Sequence, residues 1–283
     1  MPLDQTSYDE LPYTCNVMPY AQPDRLATVA TLSGMTPPPV QSCRVLELAC
    51  CDGSNIIATA HNLPEAECWG VDFSAQHIAN GRRLIKALGL KNITLKQMDI
   101  LEINDRFGAF DYIIAHGIYS WVSSQVQDKI LSICKNHLAT NGVAYISYNT
   151  KPGWRTTLRD MMLYHIANDS TARTIKLKKL LKFFTQATAD VKDTYSRFLH
   201  QELNHFNQLP ESFIFEEFLD EENEPLYFYQ FMERAQAHGL EYLGDALFPK
   251  ATNDVHQEQM MDFLHNRHFR HTCLCHQGTT RNN

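Results

Sequence analysis

One stretch of the chain, residues 45–55, limits the fold more than any other. The stretch begins inside an apolar run, residues 43–48, and continues beyond it. Such a run is typical of a strand buried on both faces of a parallel sheet. Small residues follow at Ala49, Cys51 and Gly53, and a helix-like apolar pattern starts directly after them. In α/β folds, a strand, a turn of small residues and a helix together present backbone N–H groups to a nucleotide. The stretch predicts such a turn, and plain packing between a strand and a helix is the alternative.

The side chains of this turn argue against two classes of nucleotide. A dinucleotide fingerprint needs glycine at the first, third and sixth positions, which are Ala49, Cys51 and Ser54 here. No Walker-type lysine follows, so a site for ATP or GTP phosphates is not indicated. Instead, one acid, Glu47, lies inside the first strand, and another, Asp72, ends the next strand about 20 residues after the turn. This arrangement resembles the S-adenosylmethionine (SAM) site of Rossmann-like methyltransferases.

Five predicted strands alternate with helices in the first half of the chain. They are predicted at residues 43–49, 67–72, 93–98, 111–115 and 143–148. Alternation of this kind indicates a parallel sheet with helices on both faces, and ligands then bind beyond the carboxyl ends of the strands.

After residue 154 the pattern becomes helical, and two further short strands are predicted at residues 240–243 and 270–275. We therefore expect a SAM-binding core with an N-terminal arm at 1–154, a helical insertion at 155–238 and antiparallel closing strands at 239–283.

Composition excludes several kinds of protein. A net charge of −7 argues against a general nucleic-acid-binding surface. No run of about 18 apolar residues and no secretory leader is visible, so we expect a cytoplasmic protein without membrane insertion. Eight cysteines in a chain of this size do not indicate a disulfide scaffold, and Cys51 is expected to be a free, buried thiol.

Several stretches together resemble a named family, the bacterial class I SAM-dependent methyltransferases with a methyltransferase regulatory domain. This family includes the protein-lysine methyltransferases of rickettsiae that modify outer-membrane proteins. The matching stretches are residues 8–13, 23–30, 45–55, 70–74, 111–122, 142–154, 224–242 and 263–276. The resemblance implies a Rossmann-like fold with a seven-stranded sheet, a helical insertion after the fifth strand, SAM as cofactor and a protein substrate, such as an envelope protein. Ala49 stands where the family's turn begins with glycine.

The resemblance and the strand–turn–helix pattern together give a set of cofactor-binding residues. They are Glu47, Ala49, Cys51, Gly53, Asn55, Asp72, Phe73, Met98, Asp99 and His116. Asp72 is expected to accept hydrogen bonds from the ribose hydroxyls, with a helix cap as its alternative role. Asp99 is expected at the adenine amino group, beside Met98. Glu47 has two alternatives, a structural role and a bond toward the methionine amino group of SAM.

The catalytic residues are predicted after the fourth and fifth strands, where methyltransferases place the reacting methyl group. Methyl transfer to lysine needs alignment, exclusion of water and loss of the ammonium proton. The candidates are His116, Tyr119, Trp121 and Tyr148, with Trp154 as a further wall of a narrow aromatic channel and Tyr8, Tyr13 and Tyr20 as its cover. A core position is the alternative for each aromatic residue, and a structural hydrogen bond is the alternative for His116.

Two further points concern a possible metal site and the choice among three functions. The histidines and cysteines of residues 268–276 have no usual metal-ligand spacing, so no metal is expected. Three functions fit the chain: a protein-lysine methyltransferase, a non-catalytic SAM-binding or oligomerisation module with the helical insertion as its interface, and a small-molecule methyltransferase. A homodimer through the helical insertion is the expected form of self-association.

Overall fold

A computed structural model describes residues 15–153, 155–166, 173–210, 213–214, 217–218, 222–247 and 254–281. The described part of the chain divides into two compact units, one built on a sheet (Cys15–Gly153 and Glu222–Asn283) and one of helices (Trp154–Glu221). Among the predicted residues, Tyr8, Tyr13 and Trp154 lie outside the described ranges.

The sheet of the first unit has seven strands within the described residues. They are β1 (Arg44–Leu48), β2 (Glu67–Asp72), β3 (Ile93–Gln97), β4 (Phe110–Ala115), β5 (Leu138–Asn149), β6 (Leu240–Asp245) and β7 (Phe269–His276). Their order is β3-β2-β1-β4-β5-β7-β6, and β7 runs antiparallel to both of its neighbours. The seven-stranded Rossmann-like sheet and its antiparallel closing strand are thus confirmed.

Alternating residues of the central strands are buried on opposite faces of the sheet. On β1, Leu46 and Leu48 belong to one apolar cluster and Val45 to the other. On β4, Ile113 and Ile114 divide between the same two clusters. Helices cover both faces, which is why these strands read as continuous apolar runs.

The helices of the sheet unit are α1 (Pro23–Leu32), α2 (Ser54–Asn62), α3 (Ala75–Leu88), α4 (Ser124–His137), α8 (Phe228–Ala237) and α9 (Val255–His265). Local signals define their ends: at α3, the Ser74 hydroxyl accepts a hydrogen bond from the His77 N–H, and Gly89 ends the helix in a left-handed conformation. None of the described helices is long and apolar enough to cross a membrane.

The helical unit contains α5 (Arg155–Ile166), α6 (Arg173–Ala189) and α7 (Thr194–Phe206) around its own apolar core. It ends earlier than the predicted insertion at 155–238, because α8 belongs to the sheet unit. Phe228 and Phe231 of α8 are fully buried, against Tyr242 of β6 and Tyr148 of β5 respectively. The helical periodicity of α8 is visible in the sequence, but the partner of its apolar face is not.

Candidate cofactor and active site

The turn after β1 lies where the strand order reverses, between β1 and β4, as expected for a ligand site of an open α/β sheet. Three of its residues have positive φ angles: Ala49 (53°), Cys51 (55°) and Gly53 (79°). The turn therefore keeps a backbone shape that suits glycine although two of these residues carry a side chain. Short side chains keep its backbone accessible to a ligand.

Replacing Ala49 with glycine should stabilise the protein. A left-handed conformation costs an L-residue about 1 kcal/mol that glycine avoids, so we expect the free energy of unfolding to rise by about 1 kcal/mol. Urea unfolding measures the change. The matched control, Ala58→Gly inside α2, should lower stability by about 1 kcal/mol. If both variants lost the same free energy of unfolding, the conclusion that Ala49 is strained would be contradicted.

Four backbone amides of the turn are already paired within the protein, which differs from our expectation that the turn's amides hold the ligand. The N–H groups of Cys50, Gly53 and Ser54 donate to Val71 O, Cys50 O and Asp52 Oδ1 at 2.8–2.9 Å. The Cys51 N–H donates to Asp72 Oδ2 at 2.8 Å. A turn with these donors occupied is poorly suited to phosphate, which agrees with the lack of a phosphate motif.

Asp72 ends β2 and is joined to the turn by this bond from Cys51. Its other oxygen, Oδ1, accepts from the Ser74 N–H at 2.9 Å and lies 3.7 Å from His77 Nδ1. Each carboxylate oxygen has two lone pairs, so each keeps one site for a further donor. The structure thus places Asp72 directly beside the turn, with acceptors for two hydroxyl groups.

Glu47 and Asn55 form a buried pair beneath the turn. Asn55 Nδ2 donates to Glu47 Oε1 at 2.9 Å, whereas Glu47 Oε2 has no hydrogen-bond partner among the described residues. Burial raises the pKa of Glu47 to about 8, with the Asn55 and Ile56 hydrogen bonds lowering it and repulsion from Asp72 and Asp52 making smaller raising contributions. Glu47 is therefore protonated at neutral pH, and its Oε2 is a buried oxygen without a partner among the described residues. A cation bound beside it would favour the ionised carboxylate.

Both ends of the Asn55 side chain are hydrogen-bonded within the protein, which favours a structural role. Its Oδ1 accepts from the Met18 N–H at 2.8 Å and from Gln22 Nε2 at 2.7 Å. These bonds join the segment before α1 to the helix that follows the turn. The cofactor role of Asn55 stays a prediction, and its contact with Glu47 connects it to the turn.

Cys51 forms a disulfide with Cys15, with 6.1 Å between the Cα atoms. The expectation of a free thiol at Cys51 is therefore wrong, because spacing along the chain does not reveal that the N-terminal segment returns to this turn. His77 offers a ring nitrogen within 4.8 Å of both sulfurs. Since the two sulfurs are bonded to each other, we assign no metal here.

The remaining predicted cofactor residues lie at the carboxyl ends of β2 and β3. The Met98 N–H donates to Asp72 O at 3.0 Å, so the two strand ends are adjacent. Phe73 exposes 41% of its surface, which leaves its ring accessible to a flat ligand. Asp99 accepts from the Leu101 N–H at 2.9 Å through Oδ1, which is the turn-capping role given as its alternative.

His116 follows β4 and is held by two side chains of β5. Its Nδ1 lies 2.9 Å from Tyr145 Oη and 3.1 Å from Ser147 Oγ, and Ser147 Oγ accepts from the Gly117 N–H at 2.8 Å. Burial, with a smaller contribution from His271, lowers the pKa of His116 to about 4. The imidazole is thus neutral at pH 7 and fixed in orientation.

The predicted aromatic channel is not assembled as expected. Tyr119 and Tyr148 are fully buried, and both pack on Phe231 of α8. Both are core residues because α8 covers this face of the sheet. A core position was the alternative to the channel role for each of them. Trp121 is half-buried in a short 3₁₀ helix, and Tyr20 exposes 40% of its surface.

The sequence did not single out Tyr145 and Ser147 as site residues, and His271 was considered only among the possible metal ligands of residues 268–276. They lie in the predicted strands 143–148 and 270–275, but only the pairing of β5 with β7, which sets Ser147 opposite His271, brings them to His116. Polar residues at alternate positions of a buried strand were the one available signal.

The sequence of this chain matches two protein families and several bacterial proteins. Residues 45–142 match the family described as "Methyltransferase domain", and residues 210–256 match "Predicted methyltransferase regulatory domain". The protein RP789 of Rickettsia prowazekii is 41% identical over 96% of this chain and 53% of its own length. RP028 of the same organism is 38% identical over 82% of this chain and 95% of its own length.

Among solved structures, PKMT2 from Rickettsia typhi in complex with AdoHcy is similar to this chain, with a TM-score of 0.87 and 37% identity. The match covers 96% of this chain and 56% of that one. The chain thus spans about half the length of RP789 and PKMT2, and nearly all of RP028.

Proposed function

We propose that this chain, which belongs to the bacterial SAM-dependent methyltransferases with a methyltransferase regulatory domain, transfers methyl groups from SAM to lysine side chains of a protein. The observation that carries the proposal is the likeness, over 96% of the chain, to PKMT2 from Rickettsia typhi, solved with AdoHcy. The resemblance to rickettsial protein-lysine methyltransferases suggests the acceptor class, with envelope proteins as the first candidates.

The residues around the turn fit SAM as the cofactor. The two acceptor sites left on Asp72 suit the two ribose hydroxyls, and the unpaired Oε2 of Glu47 suits the amino group of the methionine moiety. Phe73 and Met98 would flank the adenine, and Ala49, Cys51 and Gly53 would let the ligand approach the backbone closely. SAM also lacks phosphate groups, in agreement with a turn in which four amides are already paired.

When bound, SAM supplies an electrophilic methyl group on its sulfonium. The chain's own part would be to hold the acceptor amine in line, exclude water and remove the amine's proton. His116, neutral and rigidly held after β4, is the group that we assign to the proton.

A proton should leave the protein when SAM binds near pH 7. Glu47 is protonated there because its pKa is raised to about 8, and a bound ammonium group would lower that pKa and expel the proton. Calorimetry in phosphate and in Tris, which differ in ionisation enthalpy, should show close to one proton released at pH 7. Glu47→Gln is the control, and equal proton release in this variant would contradict the contact.

The proposed reaction is tested by incubating the chain with methyl-labelled SAM and bacterial envelope proteins, followed by mass spectrometry. We expect added methyl groups on lysine side chains, and none with the Asp72→Ala variant. Binding of SAM without label on any protein would contradict the proposal and favour the non-catalytic module. Label confined to low-molecular-weight amines would instead identify a small-molecule methyltransferase.

Self-association and location are further parts of the proposal. The helical unit exposes Tyr164, Phe183 and Tyr195 by more than half of their surface, which would suit a homodimer through this unit. Light scattering at micromolar concentration measures the mass of the particle in solution. A monomeric mass would contradict the proposed homodimer. Cell fractionation would test the expected cytoplasmic location.

A further inference from the structure

A chain of three polar side chains crosses the strand ends next to the proposed reaction site. Tyr145 Oη lies 2.9 Å from Nδ1 of His116 and 2.6 Å from Nδ1 of His271. The Tyr145 ring is buried, with 5.9 Å and 6.0 Å between its centroid and those of the two imidazoles. One hydroxyl therefore connects one imidazole from the end of β4 with another from β7.

The phenol has one proton and can donate to only one of the two Nδ1 atoms. Ser147 Oγ, 3.1 Å from Nδ1 of His116, accepts from the Gly117 N–H and is a second hydroxyl at that nitrogen. When His116 donates to the phenol oxygen, the two neutral rings are opposite tautomers. If His116 holds its proton on Nδ1, its Nε2 is a free base, and Tyr145 then donates to His271. No described residue forms a hydrogen bond with Nε2 of His116.

We propose that His116, Tyr145 and His271 form a relay that takes the proton of the acceptor ammonium at His116 and delivers it to His271. The inference rests on the proposed function of lysine methylation. The ammonium N–H bond breaks as an Nε2–H bond forms on His116. The Nδ1 proton of His116 moves to the Tyr145 oxygen while the Tyr145 proton moves to Nδ1 of His271. His271 becomes the cation, and the amine keeps the electron pair that attacks the methyl group.

The charged groups around the relay decide where the proton can stay. Burial lowers the pKa of both imidazoles, and it raises that of the Tyr145 hydroxyl. Asp245 of β6, whose Oδ2 accepts from the backbone N–H of His271 at 3.4 Å, favours a cation on the His271 ring, whereas Arg267 disfavours one. His116 has His271 as its charged neighbour, and repulsion between two cations would prevent it from keeping the proton. Asp245 is thus the group that would stabilise a proton on His271, although Nη1 of Arg267 and Nη1 of Arg270 lie 3.7 Å and 3.9 Å from its Oδ2.

The relay addresses the largest chemical obstacle to the reaction. At pH 7 a lysine with an unperturbed pKa of about 10.4 is neutral in about 1 of 2,500 molecules. The aromatic rings of Tyr20 and Phe269, with centroids 5.2 Å and 5.1 Å from that of His271, add an apolar wall beside this path. General-base help of this kind contributes about 10²- to 10⁴-fold to a rate.

The test compares kcat between pH 6.5 and 10 in wild type, Tyr145→Phe and His271→Asn. Asparagine keeps a hydrogen-bonding group near the Nδ1 position but cannot take up a proton. We expect both variants to lose at least about 10-fold in kcat at pH 7 and to recover toward wild type near pH 10, with unchanged SAM affinity. His276→Gln, on the same strand, is the matched control and should keep the wild-type profile. A loss that is independent of pH, or no loss, would overturn the relay.

A second measurement does not depend on turnover. With ¹⁵N-labelled histidine, NMR at pH 7 should show His116 and His271 neutral and as opposite tautomers, and Tyr145→Phe should remove this relation. Two Nε2–H tautomers in the wild type would overturn the relay. If the NMR result holds but wild type methylates no protein at any pH, it is the proposed function that fails.

Discussion

Substitution of Asp72 by alanine is expected to weaken SAM binding by at least about 100-fold. The carboxylate would lose two charge-assisted hydrogen bonds to the ribose, each worth about 1.5–3 kcal/mol. It would also lose its bonds from the Cys51 and Ser74 N–H groups, which shape the turn itself. Calorimetric titration with SAM and with AdoHcy measures the loss directly.

Two control variants separate the lost contact from other effects. Asp72→Asn keeps one acceptor oxygen and should bind SAM with intermediate affinity. Glu65→Ala removes an exposed carboxylate from the surface and should leave affinity unchanged. An Asp72→Ala protein that is folded and binds SAM as tightly as wild type would remove the ribose assignment.

Substitution of Gly81 by alanine should destabilise the protein by about 2–3 kcal/mol and weaken SAM binding. Inside a helix this change normally stabilises by about 1 kcal/mol, so the expected sign is reversed. The reason is contact: a Cβ at residue 81 would overlap the backbone oxygen of Asp52 in the turn and lie 2.5 Å from Leu95 Cδ1. Overpacking against backbone costs more than the helix propensity returns.

Thermal unfolding and SAM titration would measure the two effects together. Gln76→Ala, an exposed site on the same helix α3, is the matched control and should change stability by less than about 0.5 kcal/mol. A Gly81→Ala protein with raised stability would show that α3 does not press on the turn.

The sheet could be predicted from the sequence because its signals are local. Apolar runs fixed β2 at residues 67–72, and the Ser74 and Gly89 signals fixed the ends of α3. The cofactor turn was found in the same way, since a strand, small residues and a helix are consecutive in the chain. Asp72 followed because the distance from a first strand to the end of its parallel neighbour is nearly constant.

The packing of α8 and the disulfide could not be predicted, because each depends on which distant part of the chain a residue meets. Periodicity shows that α8 has an apolar face, but only packing shows that it covers Tyr119 and Tyr148 and moves them from the expected channel into the core. The pairing of Cys15 with Cys51 also joins residues that no local pattern connects.

The sequence by itself thus determined the fold, the position of the cofactor turn and the family, since each rests on short stretches whose patterns are local in the chain. Only the tertiary structure decided which side chains meet beyond the strand ends. Tyr145 and His271 come from β5 and β7, His116 follows β4, and the antiparallel register of β5 and β7 helps to set their contact. Register is a long-range property, because a shift by one residue turns every side chain of a strand to the opposite face.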